Sequence, residues 1–264
     1  MKRPVNENHT FVVLAYKESK YLPICIQSLL KQTIESKIII ATSTDNEYIR
    51  GVGEKYGIEV VVNKNSTGIA GDFDFGVKAG TTTFVTVAHQ DDTYEPRYLE
   101  EVGKKLEKDT IIAFTDYYEK HPDGKQYTNR NLKIKRLMLT PLKLKIFQKS
   151  KWVRRRILSF GNPICCPAVT FNKDKIKENI FQSDFRSNMD WKAWEILSRK
   201  KGSFVYIPQP LMMHRIHEES TTTEVINEGK RTNEDFRMMC LFWPEAIARI
   251  LARIYAGSEK NNYE

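Results

Sequence analysis

Residues 84–96 read Phe84-Val85-Thr86-Val87-Ala88-His89-Gln90-Asp91-Asp92-Thr93-Tyr94-Glu95-Pro96. The first five are apolar or β-branched and predict a buried strand, and a histidine and two carboxylates follow at its carboxyl end. The same unit recurs upstream. Phe11-Val12-Val13-Leu14-Ala15, Lys37-Ile38-Ile39-Ile40-Ala41 and Glu59-Val60-Val61-Val62 predict three further strands. Between them, apolar residues fall at helical spacing: Leu22, Ile26, Leu29 and Leu30 after an N-cap at Ser19, a helix from near Asp45 to Gly57, and another from Ile69 to Ala79. Downstream come a helix from Pro96 to Glu107 and a strand at Ile111-Ile112-Ala113-Phe114. This alternation predicts an α/β fold with a mainly parallel sheet covered by helices on both faces. Ligands of such sheets bind beyond the carboxyl ends of the strands, so the polar residues there are the first candidates: Tyr16, Lys17 and Glu18, then Ser43 and Asp45, residues 63–66, and His89 to Asp92.

From Tyr117 the pattern loosens, and the charge changes with it. The chain of 264 residues carries 42 Lys and Arg against 33 Asp and Glu, a formal net charge of +9. No acidic residue lies between Asp123 and Asp174, a stretch holding 13 basic residues, which leaves 29 basic against 33 acidic elsewhere, a net of −4. The chain therefore reads as a mildly acidic body with one basic, helical insert, in which Leu132, Ile134, Leu137, Leu144, Ile146 and others are interleaved with Lys and Arg. Regular structure resumes with Trp191, Trp194 and Leu197 on a helix from Met189 to Arg199, a strand at Phe204-Val205-Tyr206-Ile207, and a helical pattern from Phe236 to Ile254 interrupted by Pro244.

The composition excludes disorder as the main state, and no stretch reaches the ~18 apolar residues of a membrane-spanning helix. Met1-Lys2-Arg3-Pro4 leads into polar residues, so the expected location is cytoplasmic. Cys25, Cys165, Cys166 and Cys240 lack metal-site spacing and are expected to be reduced and mostly buried.

Two carboxylates leaving a buried strand form a hard-oxygen site for a divalent cation; the plainer alternative is a turn or helix cap before Pro96. Walker A, dinucleotide-fingerprint and His-Glu-x-x-His motifs are all absent. Helix-turn-helix, zinc-finger and RNP patterns are absent too, so nucleic acid is not an expected partner.

Taken together, the chain resembles the GT-A-type glycosyltransferases of family 2. The resemblance rests on Phe11 to Tyr16, Ile26-Gln27-Ser28-Leu29-Leu30-Lys31-Gln32-Thr33, Asn63 to Gly68, His89-Gln90-Asp91-Asp92 with Tyr94-Glu95-Pro96, Met189-Asp190-Trp191, and Leu211 to Ser220 with Arg215-Ile216-His217. It implies a Rossmann-like GT-A fold with the basic insert and C-terminal helices added, and an inverting transfer of a sugar from a nucleotide donor, a UDP-sugar with Mn2+ or Mg2+, to a hydroxyl of a glycan or lipid-linked saccharide. It also implies a division into a nucleotide-sugar-binding half at 1–118, the insert at 119–160, an acceptor-side half at 161–222 and a helical segment at 223–264.

Carried over by position, Asp91 resembles the metal-contacting carboxylate, Asp92 the acidic residue that follows it, and His89 stands where the family's first carboxylate would be. The resemblance puts Tyr16, Glu18, Ser43 and Asp45 with the donor nucleotide, and Arg215 and His217 with the diphosphate or metal, His214 being the weaker histidine. It gives metal ligation to Asp91, Asp92 and His217, and general-base catalysis to Asp190, whose plain alternative is a helix first-turn carboxylate. Asp72 reads as such a first-turn carboxylate. A competing function is a nucleotide-sugar binder without turnover, suggested by His89 in a carboxylate's place. The 124–173 stretch is expected to meet either the acceptor or an anionic membrane surface at the inner face of the membrane.

Overall fold

The chain is described by a computed structural model covering residues 5–216 and 231–260. Strand β1 (Val5–Ala15), helix α1 (Leu22–Leu30), β2 (Glu35–Thr42), α2 (Glu47–Tyr56), β3 (Glu59–Val62), α3 (Ile69–Ala79) and β4 (Phe84–His89) form the expected alternation. There follow β5 (Thr93–Tyr94), α4 (Tyr98–Gly103), β6 (Thr110–His121) and β7 (Gly124–Gln126). The basic segment forms α5 (Arg130–Leu139), α6 (Lys145–Gln148) and α7 (Lys151–Leu158), and the chain continues through β8 (Val169–Asn172), α8 (Met189–Ser198), β9 (Ser203–Arg215), α9 (Arg231–Cys240) and α10 (Glu245–Lys260).

The sheet runs β3-β2-β1-β4-β8-β6-β9-β5, with β7 paired to β6. β1 is parallel to both β2 and β4, and β6 is parallel to β9. β8 is antiparallel to its neighbours β4 and β6, so β4 and β6 point the same way and their carboxyl ends share one edge. The chain leaves β1 toward β2 on one side and returns as β4 on the other. The crevice at that reversal is where ligands of doubly wound sheets sit.

Side chains alternate across the sheet with the strand period of two. Val12, Val85 and Val87 pack with α3, α8, α9 and α10, whereas Phe11, Val13 and Ala88 pack with α1, α2 and α4. Trp191, Trp194 and Leu197 are buried, as their spacing predicts. Gly76 lets α3 approach β1 closely, since a Cβ there would meet Leu14 Cδ2 at 2.9 Å. Gly57 ends α2 in the left-handed conformation at φ 63°, where glycine carries no steric penalty.

Several expectations about boundaries are corrected. Helix α1 starts after Tyr21 without a side-chain cap; the Ser19 carbonyl instead accepts from Leu22 N and Tyr48 Oη. Helix α4 is only six residues and stops at Gly103, a poor helix former. β6 and β9 run far past Phe114 and Ile207. The register shifts where Asp116 faces Pro210, and this irregularity is what lets a strand carry Pro208 and Pro210. Cys240 is exposed, not buried.

The basic insert joins both cores. Leu132 packs on the α1 side, and Leu139, Leu142, Ile157 and Leu158 pack on the other. Arg154, within the run Arg154-Arg155-Arg156, is 1% exposed. Its guanidinium donates to the carbonyls of Ser198 (2.8 Å), Gly202 (2.7 Å) and Lys200, tying α7 to the turn after α8. Among the described residues no helix is long and apolar enough to cross a membrane.

Candidate active site

The parallel register of β1 and β4 pairs Leu14 with His89, which sets the turn after β1 beside the acidic turn after β4. Gln90 joins the two turns. Its Oε1 accepts from Tyr16 N and its Nε2 donates to Tyr16 O, each at 3.1 Å. Tyr16 is thereby fixed by its backbone while its side chain stays exposed. Lys17, next in the turn, has φ 52° and donates its N–H to Thr44 Oγ1, linking this turn to the end of β2.

His89, Asp91 and Asp92 each offer a ligand atom, all within 4.8 Å of one another. His89 Nδ1 lies 3.7 Å from Asp92 Oδ2, and Nε2 is enclosed without a hydrogen-bond partner. Burial holds the His89 imidazole below its ordinary pKa, against the opposing pull of Asp92 and Asp91 and a smaller one from Asp190. The ring is therefore neutral near pH 7. Of its two nitrogens, Nδ1 is the one that faces Asp92. Two carboxylates and one imidazole nitrogen fit a divalent cation, and the nitrogen favours manganese over the strictly oxygen-seeking magnesium.

Asp92 is fully buried, and β9 claims it. Its Oδ1 accepts from His214 Nδ1 at 3.1 Å and from Arg215 N at 2.9 Å. Burial lowers the His214 pKa, but the charge and hydrogen bond of Asp92 outweigh it and hold the group above the usual imidazole value. Arg215 Nε donates to the Asp91 carbonyl at 2.9 Å, and the guanidinium lies 4.3 Å from the centre of the Tyr21 ring. Hence β9, 122 residues downstream, fixes the acidic turn from behind. His217 lies outside the described residues.

Asp190, in the first turn of α8, accepts from Asn162 Nδ2 through Oδ2 and from Trp191 N through Oδ1, both at 2.7 Å. Its charge acts on His89 and on the buried Cys166 thiol. Burial raises the thiol pKa of Cys25, Cys165 and Cys166, which disqualifies them as thiolate nucleophiles.

On the β2 side, Ser43 Oγ donates to Asp72 Oδ2 at 2.6 Å and Asn63 Nδ2 donates to Asp72 Oδ1 at 2.8 Å. Asp72 is thus more than a first-turn carboxylate: it organises the ends of β2 and β3, a role that no local sequence signal carries. Asp45 is instead paired with Arg50 of α2, and Glu18 is exposed, its charge felt by Tyr48. The structure does not draw either of these two to the acidic turn.

The sequence model of the family described as glycosyl transferase family 2 matches residues 10–181, more than half of the chain and every element from β1 through β8. The chain belongs to glycosyl transferase family 2. An uncharacterized glycosyltransferase of Haemophilus influenzae is 24% identical over 238 residues, spanning 84% of this chain and 69% of that protein. Among solved structures, residues 1–349 of TarS of S. aureus in complex with UDP-GlcNAc give a TM-score of 0.66 at 14% identity, covering 93% of this chain and 70% of that one. The mannosyltransferase PcManGT of Pyrobaculum calidifontis, in complex with GDP-Man and Mn2+, has a TM-score of 0.62 at 10% identity, covering 97% and 70%. At these identities the two structures establish the shared GT-A fold. Within this family 2 member, the acidic turn lies at the sheet reversal.

Proposed function

We propose that this family 2 protein is an inverting glycosyltransferase that takes a sugar from a UDP-sugar and joins it to a hydroxyl of a glycan or lipid-linked saccharide. The observation that supports this most is the acidic turn at the carboxyl end of β4, where His89, Asp91 and Asp92 bring ligand atoms within 4.8 Å of one another. An inverting displacement needs leaving-group neutralisation at one end, which this cluster suits, and a proton acceptor on the acceptor side, the part given to Asp190.

The donor nucleotide lies across the carboxyl ends of β1 to β3, with its base near Ser43, Asn63 and Asp72 and its ribose near Tyr16. Asp91 and His89, with Asp92 behind them, would hold a divalent cation, which supplies positive charge to the diphosphate. Arg215 adds a fixed cation close to the same turn. The acceptor hydroxyl attacks the anomeric carbon as the bond from that carbon to the diphosphate oxygen breaks, and its proton passes to Asp190. A carboxylate accepts several hydrogen bonds, so the bonds from Asn162 and Trp191 N orient Asp190 without disabling it as a base.

A thermal-shift panel of nucleotide sugars with manganese, followed by nucleotide-release assays on the best ligand, tests the reading. A UDP-sugar that raises the melting temperature and releases UDP supports it. Binding without release under any saccharide acceptor would instead establish a binder without turnover.

A further inference from the structure

The three most exposed large apolar side chains among the described residues are Ile146 (76%), Leu137 (73%) and Trp152 (70%), and all lie in α5 to α7. Leu137 and Trp152 lie off the buried sides of α5 and α7, and α6, which carries Ile146, buries no residue. Helix α5 buries Leu132 and Leu139, and Leu137 stands about 140° round the helix from Leu132. Helix α7 buries Arg154, Ile157 and Leu158 and leaves Trp152 outside. The insert's cations divide the same way. Lys135, Arg136, Lys145, Lys149, Arg154 and Arg155 are committed to Tyr117, Asp116, Glu107, Asp109, backbone carbonyls and Glu195. Lys133, Lys143 and Lys151 are exposed and have no carboxylate partner among the described residues. Lys133 lies one helical turn from Leu137.

We propose that the outer side of α5 to α7 docks on an anionic lipid surface, with Leu137, Ile146 and Trp152 entering the headgroup region and Lys133, Lys143 and Lys151 meeting lipid phosphates. Charge complementarity selects this occupant. No acidic residue lies anywhere from 124 to 173, so the insert's outer side combines apolar tips with cations and no acidic residue of its own, as interfacial helices do. A tryptophan is suited to that boundary, its ring apolar and its N–H able to reach water or headgroups. The Arg154-Arg155-Arg156 run is not the contact, because Arg154 is spent inside the fold.

The position gives the surface its use. Arg136 to Asp116 and Lys135 to Tyr117 fasten α5 to β6 at the level where β4 ends in the acidic turn. This consequence alone rests on the proposed transferase reading: docking there holds the site against an acceptor carried by the membrane.

The test is co-sedimentation of the full chain with vesicles of phosphatidylcholine, with and without phosphatidylglycerol, alongside donor hydrolysis on the same preparation. The wild type sediments with the anionic vesicles only, and salt weakens the binding. The L137S/I146S/W152S and K133Q/K143Q/K151Q variants each lose about tenfold or more of the partitioning, with circular dichroism and donor hydrolysis unchanged. A wild type that stays in solution, equal binding to neutral vesicles, or variants that sediment like the wild type would overturn the proposal. So would loss of a dimer, and not of vesicle binding, in the L137S/I146S/W152S variant, since it would make a second copy the occupant. Donor turnover without vesicle binding removes the membrane surface alone; vesicle binding with no donor turnover, by water or under any saccharide acceptor, removes the transferase reading alone.

Discussion

His214 Nδ1 lies 3.1 Å from Oδ1 of the fully buried Asp92, and this pair joins the acidic turn after β4 to the end of β9. Removing one partner leaves the other in a poor environment, because a buried charge without its counter-ion keeps the full cost of desolvation. His214→Ala is expected to lower stability in urea by about 1–3 kcal/mol, with the Arg215 N–H still bonded to Asp92. The double variant with Asp92→Asn is expected to recover part of that loss, the sign of direct coupling in a double-mutant cycle.

Asp72 holds both Ser43 and Asn63 by their side chains. Asp72→Ala releases them, and nucleotide affinity measured by calorimetry is expected to fall about tenfold, equivalent to about 1.4 kcal/mol. With the nucleotide placed as proposed, Asp72 stands at the base end and turnover at saturating donor should change little. An equal loss in both quantities would place Asp72 in the chemistry.

Arg154 shows how a basic run misleads. Arg154→Ala leaves the carbonyls of Ser198, Lys200 and Gly202 without their shared donor inside the fold. The expected cost is about 3 kcal/mol or more in denaturant melts, whereas Lys133→Gln, on the exposed side of α5, is expected to stay within about 0.5 kcal/mol.

His9 sets an acid limit. It is fully buried between Ser36 and Thr86, and burial pushes its pKa down to about 3 from an ordinary 6.5. The unfolded chain binds a proton through that window while the folded chain does not. This contribution is therefore intact above 6.5 and is lost as pH falls toward about 3, at up to about 1.4 kcal/mol per pH unit. Urea melts between about pH 7 and 5 should show the slope, and His9→Gln should flatten it.

The first half of the fold is legible because each of its elements is written in local periodicity: β-branched runs for β1 to β4, and helical spacing for α2 and α3. The acidic turn is legible for the same reason, since it directly follows a strand. What escapes is written between distant residues. β8, four fully buried residues antiparallel to β4 and β6, has no alternation to announce it. The extension of β9 hides behind Pro208 and Pro210, which read as a strand end until the register shift against β6 accommodates them. The links from Asp92 to His214 and from Asp72 to Ser43 and Asn63 depend on that assembled sheet. Arg154 and Lys133 look alike in sequence, and only packing separates the buried cation from the exposed one.

The central claim is that Asp190 takes the acceptor's proton. The most direct measurement compares wild type and Asp190→Asn in donor affinity, by calorimetry with manganese, and in sugar transfer to a saccharide acceptor under saturating donor. Loss of the base is expected to cut transfer by about 10²- to 10⁴-fold while donor affinity stays close to wild type. Transfer retained at the wild-type rate with an intact donor site would contradict the account.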